Sequence, residues 1–128
     1  MKKRVNISSG AEWEEIVGYS RAVRIGNQIE VSGTVSLKDG VPFANGNAYK
    51  QTVRILEIIR DAIEKAGGKL ENVIRTRIFV TDISKWEEIG RAHGEFFSTI
   101  KPATSMVEVS KLIGDDYLLE IEATAVLT

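Results

Sequence analysis

Between Ala48 and Ala66, Tyr49, Thr52, Val53, Leu56, Ile59, Ala62, Ile63 and Ala66 recur every three or four positions. On a helix that spacing gathers them into one stripe. Gly67-Gly68 is the expected stop, and Lys65 is well placed against the carbonyl end of the last turn. A second stripe, Trp86, Ile89, His93, Phe96, Phe97 and Ile100, predicts a helix over 84–100. Ser84 is its candidate N-cap, Glu87 completes a capping box, and Pro102 lies just past its end. Each helix has one face to bury, and the rest of the chain supplies short alternating segments to bury it on.

Those segments read as strands. Residues 1–18 give a strand or extended arm followed by a loop. Tyr19 to Ile25 and Gln28 to Ser32 form a pair joined by the two-residue turn Gly26-Asn27. Gly33 marks a bulge or a place where a ligand or backbone comes close. Lys38-Asp39-Gly40 and Asn45-Gly46-Asn47 are further turns. From Asn72 to Val80, Ile74, Thr76, Ile78 and Val80 share one face, expected under the helices; Val73, Arg75, Arg77 and Phe79 share the other. Lys101 to Val109 is a proline-marked loop running into a strand, and Leu118 to Val126 closes the chain with acids alternating with apolar residues. The two are expected to form a hairpin across Ile113-Gly114-Asp115-Asp116.

Two amphipathic helices against about six strands predict a single α+β domain over 1–128. It is two-layered, with a roughly six-stranded mixed sheet carrying two helices on one face. Two helices cover only one side of such a sheet. The other side is either wet or buried in an oligomer, and its mixture of apolar, polar and charged residues favours the oligomer.

The totals exclude several classes. A chain of 128 residues suits one compact domain, and 43% hydrophobic with 27% charged residues is an ordinary globular balance. A net charge of −1 leaves no electrostatic footprint for nucleic acid. No apolar run is long enough to span a bilayer, and the basic Met1-Lys2-Lys3-Arg4 is followed by Val5-Asn6-Ile7-Ser8-Ser9, which is not a secretory leader core. With no cysteine and one histidine, neither a disulfide, a thiolate nucleophile nor a metal site is expected. No cofactor is called for, and the cytoplasm is the expected location.

One pattern is more specific. Pro102-Ala103-Thr104-Ser105-Met106-Val107-Glu108-Val109, with Glu120-Ile121-Glu122-Ala123 near the C-terminus, resembles the signature of the reactive-intermediate deaminase family, the RidA/YjgF group also labelled endoribonuclease L-PSP. Gly18-Tyr19-Ser20, Ala22-Val23, Gly26-Asn27 and Ser32-Gly33 resemble its opening strands. Ala66-Gly67-Gly68, Phe79-Val80-Thr81-Asp82 and Glu95-Phe96-Phe97 resemble its middle, in the same order. The resemblance covers nearly the whole chain. It implies a chorismate-mutase-like α+β fold (the RidA/YjgF fold) and a homotrimer with small-molecule clefts between subunits.

In family members that hydrolyse imines, an arginine stands at the position of Thr104 and binds the substrate carboxylate. The carboxylate matching Glu120 positions a water. A guanidinium fork suits a carboxylate, and the water needs a proton acceptor within reach of the imine carbon. Tyr19, Ser32 and Gly33 match cleft-lining positions. Gly90 replaces a frequent asparagine, Met106 a cysteine-like position, and the segment between Thr104 and Glu120 is one residue longer. The resemblance is therefore to an arginine-lacking subgroup.

Arg77 replaces a small polar residue and His93 an aromatic of the family. Arg77 is either a relocated anion anchor or half of an ion pair with Glu108 or Glu122. His93 is either a general acid or base at the cleft edge or a hydrogen-bonded histidine near the core. Tyr19 either donates to a ligand or packs on the sheet. Glu120 either activates water or pairs with Arg77, and Glu122 points the same way along its strand. Arg75 reads as solvent-reaching or paired, and Arg21 and Arg24 as a solvated strand face. Three functions compete: a deaminase-like hydrolase of a C–N (imine) bond with Glu120 as the catalytic carboxylate, a non-catalytic metabolite-binding trimer, and an endoribonuclease. The charge balance disfavours the last.

Overall fold

The computed structural model describes residues 3–128. Met1 and Lys2 of the basic opening lie outside the described residues. The strands are β1 (Arg4–Ile7), β2 (Ala22–Ile25), β3 (Gln28–Thr34), β4 (Leu37–Lys38), β5 (Val41–Pro42), β6 (Val73–Val80), β7 (Ala103–Glu108) and β8 (Leu119–Val126). The helices are α1 (Glu12–Val17), α2 (Ala48–Lys65) and α3 (Trp86–Phe97). One sheet takes the order β1-β2-β3-β8-β6-β7, and β4-β5 is a separate ribbon. All neighbours in the large sheet are antiparallel except β6 and β7. That parallel pair needs a crossover, and α3 provides it. The architecture is the expected α+β one, with α2 and α3 on one face of a six-stranded mixed sheet.

The expected hairpin of the last two strands does not form. β6 lies between β7 and β8. The reason is burial. Leu119, Ile121, Ala123 and Ala125 are buried, so β8 belongs at the sheet centre. β7 is exposed or half-buried along its length and takes the edge.

The core lies between the sheet and the two long helices. In α2, Ala48, Thr52, Ile55, Leu56, Ile59, Ala62 and Ile63 face it. Gln51 and Ile55 are buried where the sequence stripe had Tyr49 and Val53, which are only half-buried. Gln51 is tolerated there because its amide is fully engaged. It donates to the Asp116 carbonyl at 2.8 Å and accepts from Leu118 N at 2.9 Å, tying the helix to the loop before β8. After α2, the chain stops as expected: Gly67 has φ +94° and Gly68 N donates to the Ile63 carbonyl at 2.9 Å.

Three local expectations are corrected. The N-terminal loop contains the six-residue helix α1, closed by Gly18 in the left-handed conformation. Ser84 is not the cap before α3. Asp82 instead caps the short 3-10 turn Ile83–Lys85 ahead of it, accepting from Ser84 N at 3.0 Å and Ser84 Oγ at 2.6 Å, and α3 starts from Lys85 without a side-chain cap. In β6 the alternation fails at its start. Val73 is 2% exposed and Ile74 52%, because the register with β8 shifts between Val73 and Arg75. From Arg75 onward the two faces are as expected.

The face away from α2 and α3 carries Glu30, Arg75, Arg77, Phe79, Ser105, Val107, Glu120, Glu122 and Thr124. Its polar groups pair across strands: Arg77 with Glu122 at 3.5 Å, Arg75 with Ser105 at 2.7 Å, and Thr124 with Glu30 at 2.7 Å. Among the described residues no helix is long and apolar enough to cross a membrane.

Candidate functional site

The register between β3 and β8 jumps from Val31↔Ala123 to Thr34↔Ile121. Ser32 and Gly33 therefore oppose the single residue Glu122, which is a β-bulge. A Cβ placed on Gly33 would lie 2.5 Å from Glu120 Oε2 and 2.7 Å from its carboxyl carbon. The carboxylate thus rests where any larger residue would put its side chain. Gly33 is at the bulge that its position suggested, and what comes close to it is the Glu120 side chain and neither a ligand nor backbone.

Arg21 fixes the other side of the bulge. Its Nη1 donates to the Gly33 carbonyl at 2.7 Å and to Thr34 Oγ1 at 2.9 Å. Its Nη2 donates to the Tyr19 hydroxyl at 3.4 Å, and the guanidinium stands 5.6 Å from the Tyr19 ring centre. Its Nε lies 3.8 Å from Glu14 Oε2. Glu14, on α1, is itself anchored by Ser8 Oγ at 3.0 Å, Ser9 N at 3.2 Å and Ser9 Oγ. Arg21 is only 8% exposed and Glu14 only 6%. The expectation of a solvated strand face is wrong for Arg21, which is a buried cation beside the bulge. It is also wrong for Arg24, which donates from Nη1 to the Ala66 carbonyl at 2.7 Å. The signal for Arg21 was the missed helix. Acids in its first turn and Gly18 at its end mark α1, and α1 brings the counter-charge.

The Glu120 carboxyl is held above its ordinary pKa, chiefly by burial and then by the Glu122 charge, with Arg21 opposing both. Ser32 donates its hydroxyl to the Ser20 carbonyl at 2.6 Å, so that proton is committed to the backbone. Next to this corner is an open cleft of about 510 Å³, lined by Asn6, Glu14, Gly18, Tyr19, Ser20 and Ser32 among others. Tyr19 and Ser32 border it directly; Glu120 does not.

The remaining candidates gather elsewhere. Thr104 and Met106 pair in register with Thr76 and Ile78, on the helix side of the sheet. Thr76 Oγ1 is 2.7 Å from Thr104 Oγ1 and 2.9 Å from His93 Nε2. His93 is half-buried, with its ring centre 4.6 Å from that of Phe97, and burial lowers its pKa. Met106 packs against the core. Within one chain, then, Tyr19, Ser32, Gly33 and Glu120 come together, and His93, Thr104 and Met106 come together. The two groups occupy opposite faces of the sheet. Arg77 shares the Glu120 face but has its guanidinium on Glu122. Among the described residues no three His, Asp or Glu side chains converge as a metal-ligand set.

Comparison with known proteins gives concordant matches. The family model described as Endoribonuclease L-PSP matches residues 10–127. A Mycobacterium tuberculosis protein, described as a member of the YjgF/YER057c/UK114 family, is 47% identical in its crystal structure. It superposes with a TM-score of 0.90 over 98% of this chain and 100% of its own. The YjgF gene product of E. coli is 29% identical, with a TM-score of 0.85 over 97% of this chain and 99% of its own. A RutC family protein of Pyrococcus abyssi is 33% identical over 84% of this chain and 84% of its own length.

Proposed function

The chain belongs to the endoribonuclease L-PSP family, the RidA/YjgF group, and from that membership we propose that it hydrolyses a small reactive imine or enamine in the cytoplasm, in clefts between the subunits of a homotrimer. Glu120 is the proposed catalytic residue. The observation that carries this is its carboxylate, seated against Gly33, half-buried and raised in pKa. A carboxylate in that state is a stronger base than one in water. It accepts a proton from water as the water oxygen bonds to the imine carbon. Glu120 passes that proton to the imine nitrogen, giving a carbinolamine; the hydroxyl proton then moves to the nitrogen as the carbon–nitrogen bond breaks, so the nitrogen leaves as an amine or ammonia and a carbonyl compound remains. Tyr19 and Ser32, which border the open cleft beside the bulge, and Gly33, which seats the carboxylate, are assigned to one wall of the cleft between subunits.

The second wall is assigned to Thr104, Met106 and His93, contributed by a neighbouring subunit. Support comes from their placement: they share a chain with Glu120 but lie on the opposite sheet face, so one ligand touches both groups only where two copies meet. The uncovered face, with Phe79 and Val107 among its charged pairs, supplies the apolar and polar surface such a seam requires. Arg77 borders the seam and is assigned to its ion pair with Glu122 rather than to ligand binding.

The test follows the loss of imines generated in situ by an amine oxidase and by an amino-acid oxidase. Wild type is expected to accelerate hydrolysis and Glu120→Gln to lose most of that acceleration. Wild type no faster than buffer, combined with ligand-induced melting shifts, would favour the alternative of a metabolite-binding trimer without chemistry. The hydroxyl at Thr104, where a fixed cation would anchor a substrate, is what keeps that alternative in view.

A further inference from the structure

Thr76 is completely buried, and its hydroxyl has two partners, Thr104 Oγ1 at 2.7 Å and His93 Nε2 at 2.9 Å. A hydroxyl has one proton and two lone pairs, and a buried proton needs an acceptor, so Thr76 donates to one of these partners and accepts from the other. This allows two settings. With the proton on His93 Nε2, the ring donates to Thr76, Thr76 donates to Thr104, and Thr104 points its own proton outward. In the structure that outward bond goes to the Pro102 carbonyl at a long 3.3 Å. With the proton on His93 Nδ1, every bond reverses, and Thr104 offers outward lone pairs instead. Thr104 is exposed and is the end of the chain that a ligand can reach.

The two strands that carry Thr76 and Thr104 bring no cation to this face. The residues of β6 and β7 on this face are Thr76, Ile78, Val80, Thr104, Met106 and Glu108. None is a cation, and Glu108 repels anions. Arg75 and Arg77 point to the opposite face and are bonded to Ser105 and Glu122.

We propose that Thr104, Thr76 and His93 form a hydroxyl relay that binds an uncharged polar group of the ligand, a carbonyl, an amide or an imine, and not a carboxylate. Thr104 donates to or accepts from that group according to the tautomer of His93. Thr76 and His93 are positioning residues that act through Thr104. The proposal rests on the assignment of Thr104 to the subunit cleft, and it narrows the substrate class to neutral carbonyl or imine compounds.

His93 is the only histidine, so a protein carrying 15N-histidine reports this ring alone. Pyruvamide and pyruvate serve as probes of equal size and different charge. Pyruvamide is expected to move the two ring-nitrogen resonances saturably, at concentrations at least tenfold below any effect of pyruvate. Thr104→Val is expected to abolish the response; because Thr104 is on the surface, the variant should fold even if Thr76→Val does not. Three results would overturn the relay: pyruvate acting as readily as pyruvamide, a pyruvamide response that survives in Thr104→Val, or no response to either probe in wild type. The readout is a tautomer and not turnover, so a protein that fails to hydrolyse imines but passes this test sinks the hydrolase and leaves the relay standing.

Discussion

Gly33 and Glu120 compete for one small volume: the position of a Cβ on residue 33 is 2.5 Å from Glu120 Oε2. The clash is with the far end of a flexible side chain, not with backbone. Gly33→Ala should therefore cost little stability, under about 1 kcal/mol, since the added methyl also stiffens the unfolded chain. It should nevertheless expel the carboxylate from its seat and lower imine hydrolysis at least tenfold. Urea unfolding alongside the hydrolysis assay checks both halves. Full activity with an alanine at 33 would mean that the seat is irrelevant to the chemistry.

The raised pKa of Glu120 has a sign in stability. Burial and the Glu122 charge favour the protonated form in the folded protein, above the ordinary carboxyl value of 4.5. In the window between that value and the higher folded one, the native state binds the proton that the unfolded chain releases. Stability attributable to this group therefore falls as pH rises through the window and stays lower above it. Glu120→Gln removes the penalty. The variant should be more stable than wild type at pH 7 to 8 and show no such gain at pH 4 or below. A gain that is constant with pH would trace to packing and not to charge.

Much of the fold was legible because its signals are local. The stripe from Ala48 to Ala66 and the stop at Gly67-Gly68 need only helical spacing and a left-handed glycine. The placement of β7 and β8 was not legible in that way. Local alternation identifies strands but not their neighbours, and a parallel partner arrives through α3 from a distance in sequence. Gly33 was readable because a glycine after a strand has few explanations. Arg21 was not, since an arginine beside a strand looks solvated until α1 is recognised and delivers Glu14. The Thr76–His93 contact was hidden for a similar reason: periodicity placed each residue on an inward face but could not bring those faces together.

Arg21 and Glu14 form a pair whose side chains are 10% and 5% exposed. Removing one member leaves the other buried without its counter-charge, and such a change typically costs about 3–5 kcal/mol. At 3.8 Å this ion pair is long, so Arg21→Ala is expected near the lower figure, with much of the loss coming from the bonds to Gly33 and Thr34. Arg21→Met combined with Glu14→Leu should recover part of it, because no charge is then stranded. A double-mutant cycle by urea unfolding reads the coupling. A loss no larger than that of an exposed pair, about 0.5 kcal/mol, would show that the buried cation is not structural.

Arg24 reaches from β2 to the end of α2, where its Nη1 donates to the Ala66 carbonyl at 2.7 Å and its Nε to the Gly26 carbonyl at 2.9 Å. The last carbonyls of a helix lack intrahelical partners, and a cation there also meets the negative end of the helix dipole. Gly67 and Gly68 satisfy the carbonyls of Glu64 and Ile63, which leaves Ala66 to the guanidinium. Arg24→Ala should cost about 1.5 kcal/mol, the lower range for a hydrogen bond with a charged donor. Faster amide exchange should be confined to Ala66, Gly67 and Gly68. Gly67→Ala should be worse than Arg24→Ala, because its backbone is at φ +94° and its Cβ would come 2.5 Å from Arg24 Nη1. Arg24→Lys keeps the charge but loses the fork that spans the Gly26 and Ala66 carbonyls, so it should restore only part of the loss. If lysine restores all of it, the dipole alone accounts for the role of residue 24.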